Sequence, residues 1–162
     1  MQEIINKLTS YNLFNYLLPG VLFVALLDRF TIYSLTQENL IVGAFIYYFV
    51  GLVISRFGSL LIEPFLKWIS FLKFADYKDF ISASKEDPMI NVFSEVNNMY
   101  RTFSAMFILL ILVKIYEHFQ YKFLLLARWN PYILILLLLI MFLFSYKKQT
   151  AYISKRVKAH KE

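Results

Sequence analysis

The chain contains no cysteine and only two histidines, and these absences exclude several kinds of site. Without thiols the chain forms neither a disulfide framework nor a thiolate metal centre. The two histidines, His118 and His160, lie in different segments, and we expect neither to bind a metal. No Ser–His–Asp set, glycine-rich phosphate loop or paired-histidine helix is recognisable. The sequence therefore predicts a protein that is not an enzyme and that carries no metal or cofactor.

Glycine and proline are also scarce, with four of each, whereas 59% of the 162 residues are hydrophobic and 19% are aromatic. This composition is far too apolar for a soluble domain of this size. A helix needs about 20 mainly apolar residues to cross a bilayer, and four runs approach that length. We therefore predict an all-α, polytopic membrane protein. It forms one domain over residues 1–162, with transmembrane helices at about 11–27, 40–55, 102–118 and 129–146.

The second span continues into an amphipathic stretch, which predicts one helix over residues 40–74. Pro64 lies inside it and should bend or break the helix, because proline has no N–H for the carbonyl one turn before it. Polar side chains recur at helical spacing on one narrow face of this stretch: Arg56, Ser59, Glu63, Lys67 and Ser70.

The third span is predicted to begin well before the membrane. Asp87 and Pro88 resemble an N-cap followed by proline at the first helical position. Polar and apolar side chains then occupy opposite faces as far as the membrane, and the whole helix should have about 30 residues. Together with the amphipathic part of the second helix, this segment forms a predicted small helical collar over residues 56–101.

Lysine and arginine are unevenly distributed among the segments outside the spans. There is one before the first span and one in the first connection, against six over residues 56–101, two in the third connection and six in the tail at 147–162. Because basic segments stay on the cytoplasmic side, both termini and the collar should be cytoplasmic. The basic tail is either this topology signal alone or an anchor on anionic lipid or nucleotide.

Four polar residues are candidates for a pore or gate. Asn12 and Asn15 are costly in hydrocarbon, so they either form hydrogen bonds between helices or face a hydrated lumen. Ser59 and Glu63 lie at the membrane boundary. The Glu63 carboxylate forms either an ion pair or part of a charged ring at a pore mouth.

Five basic residues are candidate contacts for a signal or a partner: Arg56, Lys67, Lys73, Lys78 and Arg101. They could meet a phosphorylated ligand under the membrane, although basic residues are expected on that side in any case.

Small residues recur along the second helix at multiples of four positions: Gly43, Gly51, Ser55 and Ser59. Such a track lets another helix approach closely. It packs the chain's own bundle, borders an aqueous path or forms an interface between copies of the protein, for which Gly43, Gly51 and Ser55 are the candidate residues.

Three stretches together resemble small four-span membrane subunits of bacterial anti-phage defence systems of the Hailong and Kiwa types. They are SYNLFNYLLPG at residues 10–20, YFVGLVISRFGSLLIEP at 48–64 and SEVNNMYRT at 94–102. The resemblance implies a homo-oligomer, such as a tetramer, in the bacterial inner membrane. It also implies a cytosolic partner, which is a nucleotidyltransferase-like enzyme making a nucleotide ligand in the Hailong type or a DNA-binding effector in the Kiwa type.

The favoured hypothesis is a channel-like effector gated from the cytoplasm by a nucleotide signal or a partner protein. The alternative is a non-conducting membrane scaffold that recruits a soluble defence effector. A small multidrug-type transporter is disfavoured, because the spans lack a central carboxylate.

Overall fold

The computed structural model describes the backbone of residues 12–161, and the side chains in that range except those of 124–127, 160 and 161. Residue 11, the predicted start of the first span, and residue 162 of the predicted tail lie outside this range. The regular structure of the described part is entirely helical. Five helices follow one another: α1 (Leu13–Phe30), α2 (Leu40–Trp68), α3 (Tyr77–Glu86), α4 (Met89–Lys122) and α5 (Leu124–Lys161).

The helices α1, α2, α4 and α5 are long and apolar enough to cross a membrane, and they are the four such helices within residues 12–161. The predicted all-α fold with four membrane-length helices is therefore confirmed. The long third membrane helix begins at Met89 with Pro88 as its N-cap, one residue later than the predicted start at Pro88. Asp87 Oδ1 accepts a hydrogen bond from the backbone N–H of Met89 at 2.8 Å, which satisfies one of the free donors at the start of α4.

Pro64 does not break α2, so of the two predicted outcomes, a bend or a break, the break is wrong. A π-helical turn, Gly58–Ile62, precedes it, and the chain continues as α-helix over Glu63–Trp68. In this turn the N–H of Glu63 bonds to the carbonyl of Gly58, five residues back. Pro64 thus falls at the start of a new α-helical segment, where its missing N–H costs little. A second π-helical turn, Leu13–Leu17, precedes Pro19 in α1 in the same way.

The end of α2 lies at Trp68, six residues before the predicted end at residue 74. Ser70 has a φ of 59°, in the left-handed region. Its N–H bonds to the carbonyl of Lys67 at 3.0 Å, and the N–H of Phe71 bonds to the carbonyl of Leu66 at 2.9 Å. These two bonds form a Schellman motif with serine at the position where glycine is most common. The amphipathic pattern therefore predicted a helix that is six residues too long.

Two glycines set the contact between α1 and α2. A Cβ added to Gly20 would lie 1.8 Å from the carbonyl oxygen of Tyr47, and one added to Gly51 would lie 1.7 Å from that of Tyr16. No side chain fits in so short a distance, so the two backbones touch at this point. α1 is thereby fixed against the middle of α2.

The core is formed by α1, α2 and α4, and its buried apolar side chains are Phe23, Leu27, Ile54, Ile62, Ala105 and Met106. By contrast, none of the most apolar 18-residue stretch of α5 is buried. α5 contacts α2 through the stacked rings of Phe49 and Phe142, whose centroids are 6.1 Å apart, and through Lys148. The fourth membrane-length helix therefore lies beside a three-helix core.

Candidate functional site

Charged groups from three helices meet at one end of the bundle around Glu63. This carboxylate is only 7% exposed. Its Oε2 lies 2.8 Å from Nη1 of Arg101 in α4, and its Oε1 lies 3.0 Å from Nζ of Lys67 one turn further along α2. Nζ of Lys148 in α5 lies 3.9 Å from the same Oε1. The carboxylate thus holds α2, α4 and α5 together.

Lys148 also bonds directly to α2, at the π-helical turn. Its Nζ donates to the carbonyl oxygen of Ser59 at 2.6 Å and to Ser59 Oγ at 2.8 Å. The carbonyl is available because the N–H of Glu63 bonds to Gly58 instead and because Pro64 has no N–H. The lysine therefore replaces a backbone donor that the π-helical turn and the proline remove.

Arg56 lies beside these groups, close enough to act electrostatically on Lys148. Among the described residues it forms no ion pair. We define the Glu63 cluster as Arg56, Ser59, Glu63, Lys67, Arg101 and Lys148. One carboxylate among four cations leaves three positive charges in excess, so the cluster attracts anions.

A small pocket opens between α2 and α5 next to the cluster. Its volume is about 20 Å³, enough for one water-sized group, and it is partly open to the surface. The hydroxyl of Ser145 is buried there without a hydrogen-bond partner. The lining residues are Arg56, Ser59, Leu60, Ser145, Lys148, Gln149 and Tyr152. The pocket is therefore lined largely by hydrogen-bond donors.

The structure brings together most of the predicted polar stripe. Of the candidate signal contacts, Arg56, Lys67 and Arg101 belong to the cluster, whereas Lys73 and Lys78 are exposed outside it. Sequence reasoning missed Lys148 and Ser145. The sequence analysis placed Lys148 only in the basic tail. The pattern of polar and apolar residues along one helix does not show which neighbouring helix its side chains contact.

The candidate pore residues lie inside the chain's own bundle. Asn15 is 2% exposed and Ser59 is 8% exposed, while Asn12 is half-buried. Tyr16, next to Asn15, packs edge-on against Tyr48 of α2. For Glu63 the contacts match the ion-pair alternative, since three cations from the same chain surround it. Whether these residues border a pore stays a prediction.

The predicted interface residues are occupied by contacts within the chain. Gly51 meets the backbone of Tyr16, and Ser55 Oγ lies 3.4 Å from the hydroxyl oxygen of Thr102. Gly43 is buried beside the ring of Tyr47, one turn along its own helix. For Gly51 and Ser55 this placement matches the alternative in which the small residues pack the chain's own bundle. Whether Gly43, Gly51 or Ser55 also meets a second copy stays a prediction.

The opposite end of the bundle carries a second polar group. Glu117 is 7% exposed and pairs with Lys114 at 3.0 Å. The Tyr33 hydroxyl donates to Gln120, which ties the loop after α1 to α4. Burial raises the pKa of Tyr33, and the nearby Tyr116, Glu117 and Tyr121 raise it further. At this end the Tyr33–Gln120 hydrogen bond joins two segments, and the buried carboxylate is paired with one lysine.

No residues in the described part form a group of three or more metal-ligating side chains. Comparison of the chain with protein-family models, with curated proteins and with solved structures finds no match in any of the three. The chemistry of the Glu63 cluster is therefore inferred from its own geometry.

Proposed function

We propose that the protein is an oligomeric, channel-like effector of the bacterial inner membrane, gated from the cytoplasm through the Glu63 cluster by a nucleotide signal or a partner protein. One observation carries the proposal. A single cluster with excess positive charge joins α2, α4 and α5 at one end of the bundle. An anionic group that binds there acts on three membrane helices at once. The role in anti-phage defence rests on the resemblance to the Hailong and Kiwa subunits.

Gating in this proposal follows from differential binding. A ligand shifts a conformational equilibrium only by the difference in its affinity for the two states. α5 is joined to the π-helical turn of α2 by Lys148, and an anion competes with the Ser59 carbonyl for that ammonium group. Binding at the cluster therefore changes how α5 is held against the three-helix core.

A conducting path in this proposal lies between copies. Ile54, Thr102 and Met106 fill the middle of the bundle and are at most 1% exposed, so we do not place the path inside one subunit. Of the four membrane-length helices, α5 is the one whose most apolar stretch is least buried by its own chain, with none of it buried. We therefore place the contact between copies along α5, with both termini and residues 56–101 on the cytoplasmic side.

The experiment measures membrane potential in cells that express the wild type, Lys148→Gln or Lys147→Gln. Lys147 is exposed and adjacent to Lys148, so its replacement removes the same charge outside the cluster. Loss of the Lys148 contacts should release α5 and depolarise the cells, whereas the wild type and Lys147→Gln should leave the potential unchanged. Equal potentials in all three strains, at equal amounts of protein in the membrane fraction, would argue against a channel.

The scaffold is a second candidate, and one observation favours it. The first turns of α4 carry large apolar side chains that are 38–64% exposed: Met89, Val92, Phe93, Val96 and Tyr100. Such a face is suited to a soluble partner. A scaffold predicts that no variant of the cluster changes the membrane potential.

A further inference from the structure

We infer that the pocket between α2 and α5 binds a phosphate group, held by Arg56, Lys148 and the hydroxyl of Ser145. That the pocket binds a phosphate is inferred from its geometry alone. That the bound phosphate belongs to the gating signal rests on the proposed function. The chemistry is that of a phosphate ester or diester, carried either by a soluble nucleotide or by a lipid headgroup.

Three groups at the pocket have hydrogen-bond donors that the protein does not use. Arg56 has no carboxylate partner among the described residues, and its planar guanidinium matches two phosphate oxygens. Lys148 has three N–H donors and uses two of them on Ser59. The Ser145 hydroxyl is buried without any partner. A buried hydroxyl without a hydrogen bond is costly, so a ligand acceptor here satisfies a group that the protein leaves open.

The nearby carboxylate does not cancel this charge. Glu63 Oε1 is 3.9 Å from Lys148, but its two oxygens are already bound at 3.0 Å by Lys67 and at 2.8 Å by Arg101. Lys148 and Arg56 therefore face the pocket with charge that Glu63 does not fully compensate. A carboxylate or phosphate oxygen entering the pocket meets two cations that lack a full counter-charge.

The size of the pocket narrows the ligand class. About 20 Å³ holds one oxygen-sized group but no ring. Since the pocket is partly open, one phosphate oxygen fits inside, next to Ser145 and Lys148, while the remaining oxygens stay at the mouth within reach of Arg56. A phosphate has this shape, whereas a nucleobase or sugar has to remain outside.

The full-length protein, purified in detergent, is tested with two probes. The soluble probe is ATP, with its dissociation constant measured by equilibrium binding. The lipid probe is phosphatidic acid in phosphatidylcholine nanodiscs, with bound lipid counted by native mass spectrometry. ATP binding identifies a soluble phosphate, and retention of phosphatidic acid alone identifies a headgroup. Both results support a phosphate site.

Arg56→Gln should weaken binding of the recognised probe about tenfold or more, because it removes a charge-assisted hydrogen bond. Ser145→Ala should weaken it severalfold, and it leaves the fold intact because this hydroxyl has no partner within the protein. Lys147→Gln is the matched control and should bind as the wild type does. Failure of both probes to bind, or equal binding by all variants, would overturn the inference. Binding of a probe without any change of membrane potential in cells would support the phosphate site and contradict the proposed channel.

Discussion

At the residue scale, Glu63 is a buried carboxylate that three cations of the same chain surround. Its two oxygens accept from Lys67 and Arg101, and Lys148 lies 3.9 Å away. Ion pairs at exposed sites contribute little, but a pair this deeply buried is costly to break from one side. Glu63 is therefore the residue whose loss should affect the end of the bundle most.

Glu63→Gln should lower the free energy of unfolding by about 3–5 kcal/mol, because it leaves Arg101 and Lys148 partly buried without a counter-charge. Thermal unfolding of the purified protein in detergent measures the change. Glu86→Gln is the control, since Glu86 is exposed at the end of α3. If the two variants unfold at the same temperature, the carboxylate does not hold the helices together.

Part of this cluster could be predicted from the sequence. Arg56, Ser59, Glu63 and Lys67 share one helix, so helical periodicity places them on one face. Arg101 was predicted only as one of several basic residues, and Lys148 was not selected. Contacts between helices depend on how the helices cross, and a single sequence carries no direct record of that geometry.

At the element scale, the contact between α1 and α2 depends on two glycines that allow the backbones to touch. Gly51→Ala should destabilise the protein by about 1–3 kcal/mol, because the added Cβ would lie 1.7 Å from the backbone oxygen of Tyr16. Gly43→Ala is the matched control in the same helix, where the added Cβ meets only the Tyr47 ring at 3.3 Å. Thermal unfolding that shows equal effects for both variants would mean that the two backbones are not in contact.

The end of α2 offers a prediction of the opposite sign. Ser70→Gly should stabilise the protein by about 1 kcal/mol, because glycine adopts the left-handed conformation at Ser70 without a steric cost. Ser104→Gly, at an exposed position inside α4, should instead cost about 0.5 kcal/mol. Thermal unfolding compares the two. A lower unfolding temperature for Ser70→Gly would contradict the Schellman motif.

The positions of the helices were easier to predict than the π-helical turns within them. Long apolar runs predicted the four membrane-length helices, and Asp87 with Pro88 indicated the start of α4. Pro64 was expected to bend or break α2, since rules for proline consider α-helical hydrogen bonds alone. The π-helical turn before it changes that pattern, and it also exposes the Ser59 carbonyl to Lys148. The sequence gives no separate signal for that turn.

At the scale of the whole molecule, the distribution of charge predicts the orientation in the membrane. Six basic residues at 56–101 and six in the tail predict that these segments are cytoplasmic. Reporter fusions at Glu38, Lys85 and Glu162 should place Glu38 in the periplasm and the other two in the cytoplasm. A periplasmic reporter at Lys85 would show that the orientation is the reverse of the predicted one. The Glu63 cluster would then be out of reach of a cytoplasmic signal.

The most direct test of the central claim is ion flux from liposomes that contain the purified wild type, Glu63→Gln or Glu86→Gln at equal protein density, with and without ATP as the phosphate probe. If the Glu63 cluster gates a channel, ATP should change flux through the wild type and through Glu86→Gln. Glu63→Gln should conduct with altered flux and respond less to ATP, because its cations are no longer held by the carboxylate. An absence of flux from all three proteins in both conditions would contradict the account and favour the scaffold.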